Sequence, residues 1–292
     1  MNTEKYNIIA ATDDDCDFLT ARLEEHTQAV TSLSNKVYEY FTPCIKENGE
    51  VVACIWGEVY FKSVLYIDIL WVKEGHRHKG YGVALVKDIE EKAAKMGCTL
   101  SIVDTYSFQA PKFYEKMGYT VFGTIHDSPF EGHTDFYLSK VLNPAEYENE
   151  SSPAEFELIE ASEEDTAVMD HGIVAFNKSQ VPFTQTPNNV WFDMCIKDGG
   201  EMVAAISSKA SCWKTFCLVD LWVKEEYRGK GYATSLIQDV EKQARDFGCE
   251  IGVLETFNPA MRQLCEKMGW QVYGELKDYP PGHTRYYMSK RF

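Results

Sequence analysis

The stretch Leu70–Gly82 reads LWVKEGHRHKGYG, and a second stretch, Leu221–Ala233, reads LWVKEEYRGKGYA at a displacement of 151 residues. In each copy a short β-rich run precedes the stretch, and apolar residues at helical spacing follow it. Further residues repeat in the same order, including Glu-Lys-Met-Gly at 115–118 and 266–269. The chain of 292 residues is therefore predicted to contain two copies of one mixed α/β domain.

The repeat also sets the predicted domain boundaries. The first domain is expected over residues 1–142 and the second over 156–292. Between them Asn143–Glu155 is rich in Pro, Ser, Asn and Glu and has no periodicity, so it is predicted to be a linker.

Each copy shows the same succession of local signals. A short alternating strand leads into a helix with an N-cap residue and an acid in its first turn, Thr12-x-x-Asp15 or Ser162-x-x-Asp165. Further strands and one long amphipathic helix follow. The predicted elements that matter most below are the first strands (Tyr6–Ala10, Phe156–Glu160), the central strands (Ile67–Val72, Leu218–Val223) and the long helices (Tyr81–Met96, Tyr232–Phe247).

Composition limits the classes of protein. Hydrophobic residues make up 45% of the chain, and no apolar run is long enough to cross a membrane. The formal net charge of -16 disfavours binding to nucleic acid or an anionic membrane and is compatible with a cationic amine substrate. Nine scattered cysteines without a C-x-x-C pair support neither a metal site nor a disulfide framework. With no secretory pattern at the start, the cytoplasm is the expected location.

The strongest sign of a site is a basic, glycine-containing turn between a buried strand and the long helix. The turn is Arg77–Gly82 in the first copy and Arg228–Ala233 in the second. A helix N-terminus presents free backbone N–H groups and the positive end of the helix dipole, which together suit a phosphate. Neither copy matches the P-loop or dinucleotide-binding patterns. An ordinary glycine turn with a solvated basic edge is the alternative, and it is disfavoured because the turn occurs twice in one structural context.

With these residues the chain resembles the GNAT superfamily of acyl-coenzyme-A N-acyltransferases, whose mark [RQ]-x-x-G-x-[GA] is matched by Arg77–Gly82 and Arg228–Ala233. The resemblance covers nearly the whole chain, twice. It implies two tandem domains, each with a twisted, mixed, mostly antiparallel sheet flanked by helices. It also implies acetyl-coenzyme A as the cofactor, with the turn on its pyrophosphate and the preceding strand along its pantetheine arm.

The cofactor contacts expected from the resemblance fall in both copies. In the first they are Leu70, Trp71, Val72, Arg77, His78, Lys79, Gly80, Tyr81, Gly82 and Ser107. In the second they are Leu221, Trp222, Val223, Arg228, Gly229, Lys230, Gly231, Tyr232, Ala233 and Asn258.

The predicted chemistry is carried by the first copy. The sequence DTYSFQAPKFYEKMGY at Asp104–Tyr119 resembles the second cofactor motif of the family, which makes Tyr114 the candidate general acid. A phenol remains protonated at neutral pH and can donate to a thiolate. The second copy has Cys265 at the matching position, so it is expected to have lost catalysis or to use another group, while still binding coenzyme A. A core tyrosine is the alternative for Tyr114.

Asp68 and Glu58 are the candidate general bases, although solvent alone could deprotonate the amine. The expected reaction is direct attack by a primary amine in a ternary complex, since no nucleophile is clearly poised. A small-molecule acceptor is favoured over a peptide or protein. The alternatives are a sensor or scaffold that binds acyl-coenzyme A and a transferase of longer acyl groups. The two domains are expected to be able to pack on each other as an internal pseudo-dimer.

Overall fold

A computed structural model describes residues 6–34, 36–147 and 156–292. The last residues of the predicted linker, 148–155, lie outside these ranges. Below, the first half is the part before the linker and the second half is the part after it.

The two halves repeat one order of elements. The first half contains β1 (Ile8–Ala10), α1 (Asp13–Thr31), β2 (Val37–Phe41), β3 (Pro43–Glu47), β4 (Glu50–Tyr60), β5 (Val64–Val72), α2 (Tyr81–Lys95), β6 (Leu100–Tyr106), α3 (Pro111–Lys116), β7 (Thr120–His126), β8 (Thr134–Val141) and α4 (Pro144–Tyr147). The second half contains β9 (Ile159–Glu160), α5 (Glu163–Gln180), β10 (Val190–Trp191), β11 (Met194–Asp198), β12 (Glu201–Ser211), β13 (Thr215–Val223), α6 (Tyr232–Phe247), β14 (Ile251–Thr256), α7 (Pro259–Lys267), β15 (Gln271–Lys277) and β16 (Thr284–Arg291).

One continuous sheet runs through both halves. Its strand order is β1-β11-β12-β13-β14-β16-β15-β7-β8-β6-β5-β4-β3-β9, with β2 beside β4 and β10 beside β12. The pairs β5–β6 and β13–β14 are parallel, whereas the other pairs among the described strands are antiparallel. The expected mixed, mostly antiparallel sheet with flanking helices is therefore confirmed.

The first strand and helix of each half pack on the other half. β1 pairs with β11, and Ile8 lies opposite Ile196, while β9 pairs with β3. The helices follow their strands: α1 lies on β12 and β13, and α5 lies on β4 and β5. This reciprocal exchange goes beyond the sequence prediction, which placed each first strand and helix within its own domain boundaries.

The exchanged helices begin as the sequence predicts and are then fixed by cross-half ion pairs. Thr12 and Ser162 both cap their helices in capping boxes completed by Asp15 and Asp165. Asp15 also accepts from Lys197 Nζ at 2.8 Å, and Asp165 accepts from Lys46 Nζ at the same distance. The capping acid of each exchanged helix thus binds the sheet of the opposite half.

Where the halves meet in the centre of the sheet, two glycines allow close approach. β7 pairs with β15 through Gly123 and Gly274. A Cβ atom at Gly123 would lie 3.1 Å from the carbonyl oxygen of Tyr273, and one at Gly274 would lie 3.3 Å from that of Phe122. Larger residues would push the two halves apart at this point.

Each half keeps its own core beneath its long helix. In the first half α2 buries Leu85, Val86 and Ile89 against β4 and β5. In the second half α6 buries Leu236, Ile237 and Val240 in the same way. The helical spacing seen in the sequence therefore identifies the packed face of both helices.

Both cores also contain one buried charged cluster. Glu90 is fully buried; it accepts from Lys140 Nζ at 2.7 Å and from the Tyr119 hydroxyl at 2.7 Å. The repeated Ser-Lys motif near the end of each half places this lysine. The second half repeats the cluster with Glu241, which accepts from Lys290 Nζ at 2.7 Å and from Trp270 Nε1 at 2.9 Å.

Candidate active site

The site begins where two parallel strands separate. β5 pairs with β6 as far as Ile67 opposite Val103, and beyond that point the two strands diverge. On its other side β5 continues along β4, but Asp68 has no partner there, because Ile67 lies opposite Gly57 and Ile69 opposite Trp56. The register shift between Trp56 and Gly57 is a β-bulge. Asp68 therefore stands at the opening between the strands.

The phosphate-type turn lies at the far end of this opening. Gly80 adopts φ +91, a left-handed conformation that favours glycine, directly before α2. The first backbone hydrogen bond of the helix runs from the amide of Ala84 to Gly80 O at 3.0 Å. The amides that precede Ala84 in the helix therefore have no helical carbonyl to donate to. Arg77 Nε donates to Val72 O at 3.3 Å and ties the turn to the end of β5.

The second half builds the same turn. Gly231 has φ +98, and the amide of Ser235 donates to Gly231 O at 3.0 Å. Arg228 Nε donates to Val223 O at 3.0 Å. His78 and Gly229 occupy equivalent positions with φ +65 and +71, so the first half holds a histidine in a conformation better suited to glycine.

An open cleft of about 670 Å³ joins the strand opening to the turn in the first half, and one of about 770 Å³ does so in the second. Most of the predicted cofactor residues line these clefts. In the first half they are Leu70, Trp71, Val72, Arg77, His78, Gly80, Tyr81 and Gly82. In the second half they are Leu221, Trp222, Val223, Arg228, Gly229, Gly231, Tyr232, Ala233 and Asn258.

Three predicted cofactor residues are not among the lining residues. Lys79 Nζ lies 3.7 Å from Glu47 Oε1, and Lys230 Nζ lies over the Tyr227 ring at 5.2 Å. Ser107 Oγ accepts from the Thr134 amide at 3.1 Å and so holds a loop. Their polar groups therefore serve the surrounding structure.

The shape and chemistry of both clefts fit coenzyme A. The turn supplies backbone N–H groups and a positive helix end for a pyrophosphate. Beyond Ile67 the edge of β5 that faced β6 is free of ladder partners, which leaves backbone groups for an extended amide-containing arm. Asn258 caps α7 with its side chain, accepting from the amides of Ala260 and Met261, so it shapes the second cleft.

Each cleft is walled by the exchanged helix of the other half. Ile173 and Phe176 of α5 line the first cleft, and Leu23, His26 and Thr27 of α1 line the second. The Arg77 guanidinium lies 4.8 Å from the centre of the Phe176 ring. Gln109 Nε2 donates to Asn177 Oδ1 at 3.0 Å. No local sequence signal indicates these contributions, because they arise from elements distant in the chain.

Of the candidate catalytic residues, Tyr114 and Asp68 line the first cleft. Tyr114 packs against Phe113 and Tyr119, and burial raises the pKa of its phenol, so it stays protonated. Asp68 is exposed on the cleft side. Partial desolvation of its carboxylate, followed by the charges of Asp104 and Glu58, raises the pKa of Asp68 to about 6.

Glu58 and Cys265 are placed differently. Glu58 does not line the cleft; it accepts hydrogen bonds from Trp56 Nε1 at 3.0 Å and from the Tyr60 hydroxyl. Cys265 is fully buried outside the second cleft, and burial raises the pKa of its thiol to about 12. The structure therefore brings Asp68, rather than Glu58, to the opening.

A second carboxylate, absent from the candidates predicted above, lies on the cleft wall. Asp104 follows Val103 on β6, and its Oδ1 accepts a hydrogen bond from the Tyr66 hydroxyl. Burial raises the pKa of Asp104, and the Tyr66 hydrogen bond opposes that shift. The signal that could have revealed it is the repeat, because Asp104 aligns with Glu255, a carboxylate at the same point of the second copy.

Comparisons with known proteins match both halves of the chain. The family described as Acetyltransferase (GNAT) family matches residues 9–119 and again 145–270. A blasticidin-S acetyltransferase from Streptomyces morookaense is 38% identical over 104 residues, which is 35% of this chain and 75% of that protein. Acetyltransferase Atu2258 from Agrobacterium fabrum is 36% identical over 72 residues, covering 25% of this chain and 53% of that protein.

Solved structures also match one half at a time. The crystal structure of an acetyltransferase from Bacillus cereus is 32% identical, has a TM-score of 0.43, and covers 47% of this chain and 97% of its own. Within the described ranges no helix is long and apolar enough to span a membrane.

Proposed function

Since the chain belongs to the GNAT acetyltransferase family and is an acetyl-CoA-dependent acetyltransferase, we propose that its first half acetylates a primary amine of a small molecule. The observation that carries this proposal is the presence of Asp68 and Tyr114 on one cleft that ends at the glycine turn. A peptide or protein is the less favoured acceptor. The relative that acetylates blasticidin S, as its name states, supports a small molecule.

The cofactor supplies the acetyl thioester, and the residues of the chain supply position and proton transfer. The turn at Gly80 and the free edge of β5 hold the cofactor, and Arg77 braces that turn against Val72. The carboxylate of Asp68 accepts a proton from the ammonium group of the acceptor, either directly or through water. With a pKa near 6, Asp68 is ionised at neutral pH and yet basic enough to act.

Tyr114 holds its proton at Oη beside the cleft and is the proposed general acid. We propose that the amine attacks directly in a ternary complex. Cys265, the one thiol that the repeat aligns with Tyr114, is fully buried and its raised pKa disfavours a thiolate nucleophile. The second half, which has Cys265 in place of Tyr114, is proposed to bind acetyl-CoA with little or no turnover.

We also propose that the reaction takes place in the cytoplasm and that the halves work as an internal pseudo-dimer. All nine cysteines are free thiols in the structure, which suits a reducing compartment. The exchanged helices, each on the opposite cleft, support the pseudo-dimer.

The test is release of coenzyme A thiol from acetyl-CoA across a panel of primary amines. Wild type, Tyr114→Phe and Cys265→Tyr are compared, and acetyl-CoA binding is measured by calorimetry. We expect Tyr114→Phe to lower kcat by about 10²-fold with binding unchanged. Tight binding by wild type without turnover on any amine would favour the alternative function, a sensor or scaffold that binds acyl-CoA.

A further inference from the structure

Two neighbouring strands of the first half place a pair of carboxylates on one face of the sheet. In the β6–β8 ladder Asp104 lies opposite Tyr137, and Asp135 lies opposite Tyr106. Asp104 and Asp135 are therefore diagonal neighbours whose side chains share a face. Asp104 lines the cleft, and Asp135 stands behind it with 5% of its surface exposed.

Asp135 has a buried oxygen without a partner. Its Oδ1 accepts no hydrogen bond from the residues that the structure describes. Burial, followed by the charge of Asp104, raises the pKa of Asp135 well above its usual range, and a hydrogen bond with Tyr137 opposes that shift. A buried carboxylate with one unpartnered oxygen is costly to ionise, and a nearby cation would stabilise the ionised form.

The second half shows what this location does when it contains its own cation. Asp104 and Asp135 align with Glu255 and Arg285, and Arg285 Nη1 lies 3.2 Å from Glu255 Oε2. The Arg285 guanidinium also lies 4.0 Å from the centre of the Tyr279 ring. Both residues line the second cleft, so a guanidinium is held beside the strand opening there.

The first half replaces that arginine with an acid and adds another acid at the bulge. Asp68 aligns with Val219, which is the bulge residue of β13. At the three aligned positions the first half therefore has three acids. The second half has a valine and the Glu255–Arg285 ion pair. The first cleft lacks the built-in cation of the second while keeping the carboxylate that would bind it.

We propose that Asp104, backed by Asp135, is a subsite for a second cationic group, an ammonium or guanidinium, of the acceptor. This deepens the proposed function, since it assumes that the reacting amine lies at Asp68. Ile67 and Val103 are the last paired residues of the adjacent strands β5 and β6, and Asp68 and Asp104 follow them directly. One short molecule can therefore reach both carboxylates. The acceptor of the first half is then a dication such as a diamine, and the second half, neutral in sum at the three aligned positions, does not select for it.

The experiment uses the full-length protein with 1,4-diaminobutane and 1-aminobutane as probes. Binding of each is measured by calorimetry without acetyl-CoA, and KM and kcat are measured by thiol release. We expect wild type to prefer the diamine by about tenfold or more, as for one charge-assisted contact. Asp104→Asn and Asp135→Asn should each lower the affinity for the diamine more than that for the monoamine, so that the ratio of the two affinities falls toward one.

Matched variants separate a local effect from a general one. Glu250→Gln removes an exposed charge directly before β14 of the second half, away from Asp104, and should keep the preference. Asp135→Arg, which copies the pair of the second half, should reduce diamine affinity more than Asp135→Asn. Melting curves establish that each variant is folded; if Asp135→Asn unfolds, Asp104→Asn carries the test.

The outcomes distinguish this inference from the proposed function. Equal affinity of wild type for both probes overturns the subsite, even if both amines are acetylated. Loss of the diamine preference in Glu255→Gln instead of Asp104→Asn also overturns it, because the subsite would then lie in the second half. Diamine binding that requires Asp104 but leads to no acetyl transfer supports the subsite and contradicts the proposed function.

Discussion

The two strand openings of this protein share one backbone and differ in charge. The first presents Asp68, Asp104 and Asp135, while the second presents Val219, Glu255 and Arg285 at the aligned positions. The glycine turns, in contrast, match closely, with φ +91 at Gly80 and +98 at Gly231. The duplication has thus preserved the part that suits a pyrophosphate and altered the part where an acceptor would meet it.

A neighbouring pair shows the same pattern. Glu58 on β4 aligns with Lys209 on β12, another reversal of charge beside the opening. A cleft with several carboxylates attracts cationic amines, whereas a balanced one does not. The difference between the halves therefore affects mainly which acceptor each cleft binds. It affects the binding of the cofactor less. Four predictions sharpen this comparison or break it.

The largest effect is expected where the halves are alike, in the buried charged clusters. Lys140→Met would remove the ammonium that pairs with the fully buried Glu90, and Lys290→Met would remove the one that pairs with Glu241. Breaking a buried pair costs about 3 kcal/mol or more of unfolding free energy. Urea unfolding should show a loss for both variants, and the loss should be smaller for Lys290→Met because Arg245 Nη1 also lies 3.6 Å from Glu241 Oε2. A loss confined to one half would contradict the view that the cores are equivalent.

The next largest effect concerns the proposed base. Asp68→Asn should lower kcat/KM by about 10²-fold. In wild type kcat/KM should rise with pH and level off above about pH 6, because Asp68 must lose its proton before it can accept one from the amine. The pH profile of Asp68→Asn should lack this inflection.

Asp220 lines the second cleft one residue after Val219. Asp220→Asn is therefore the comparison variant in that cleft, and it should keep both the rate and the inflection. If instead Asp220→Asn removed the inflection, the catalytic half would be the second.

The dependence of stability on pH gives a further check on Asp68. The raised pKa of Asp68 means that the native state binds more protons than the unfolded state between its ordinary value and about pH 6. Asp68 thus lowers stability as pH rises through this window, and Asp68→Asn should remove that loss.

A smaller effect tests the exchange of helices. Phe176 belongs to the second half, but it lies under the Arg77 guanidinium of the first cleft. Phe176→Ala should weaken acetyl-CoA binding at the first cleft by about threefold to fivefold, as expected for one cation–π contact. His26→Ala, the aligned change in α1, should leave first-cleft turnover unchanged. Calorimetry and thiol release would report both, and the opposite assignment would mean that the helices are not exchanged.

The smallest effect concerns backbone conformation at the turn. His78 holds φ +65 in the position where Gly229 holds +71. His78→Gly should relieve a strain of about 1 kcal/mol, partly offset by the extra freedom of glycine in the unfolded chain. Gly229→His should lose a similar amount. Denaturant midpoints would measure both, and equal stability of all three proteins would show that the turn tolerates either residue.

Much of this site was predictable because its signals are local. The turn from Arg77 to Gly82 needs only a strand, a glycine with positive φ and a helix start, and all three are visible in consecutive residues. The capping boxes at Thr12 and Ser162 are local for the same reason. Tyr114 could be proposed from the residues around it, and it does line the cleft. Its catalytic role stays a prediction, as do those of Asp68 and Glu58.

The duplication, the helices, the strand that carries Asp68 and the turn after it could all be predicted from local sequence, since they depend on contacts within short segments. The pairing of β1 with β11 and of β9 with β3 depends instead on the packing of the whole chain. A duplicated chain offers each short first strand two similar edges, and nothing in the strand itself chooses between them. The same holds for Asp104 and Asp135, which lie far apart in the chain and become neighbours only because β8 returns beside β6.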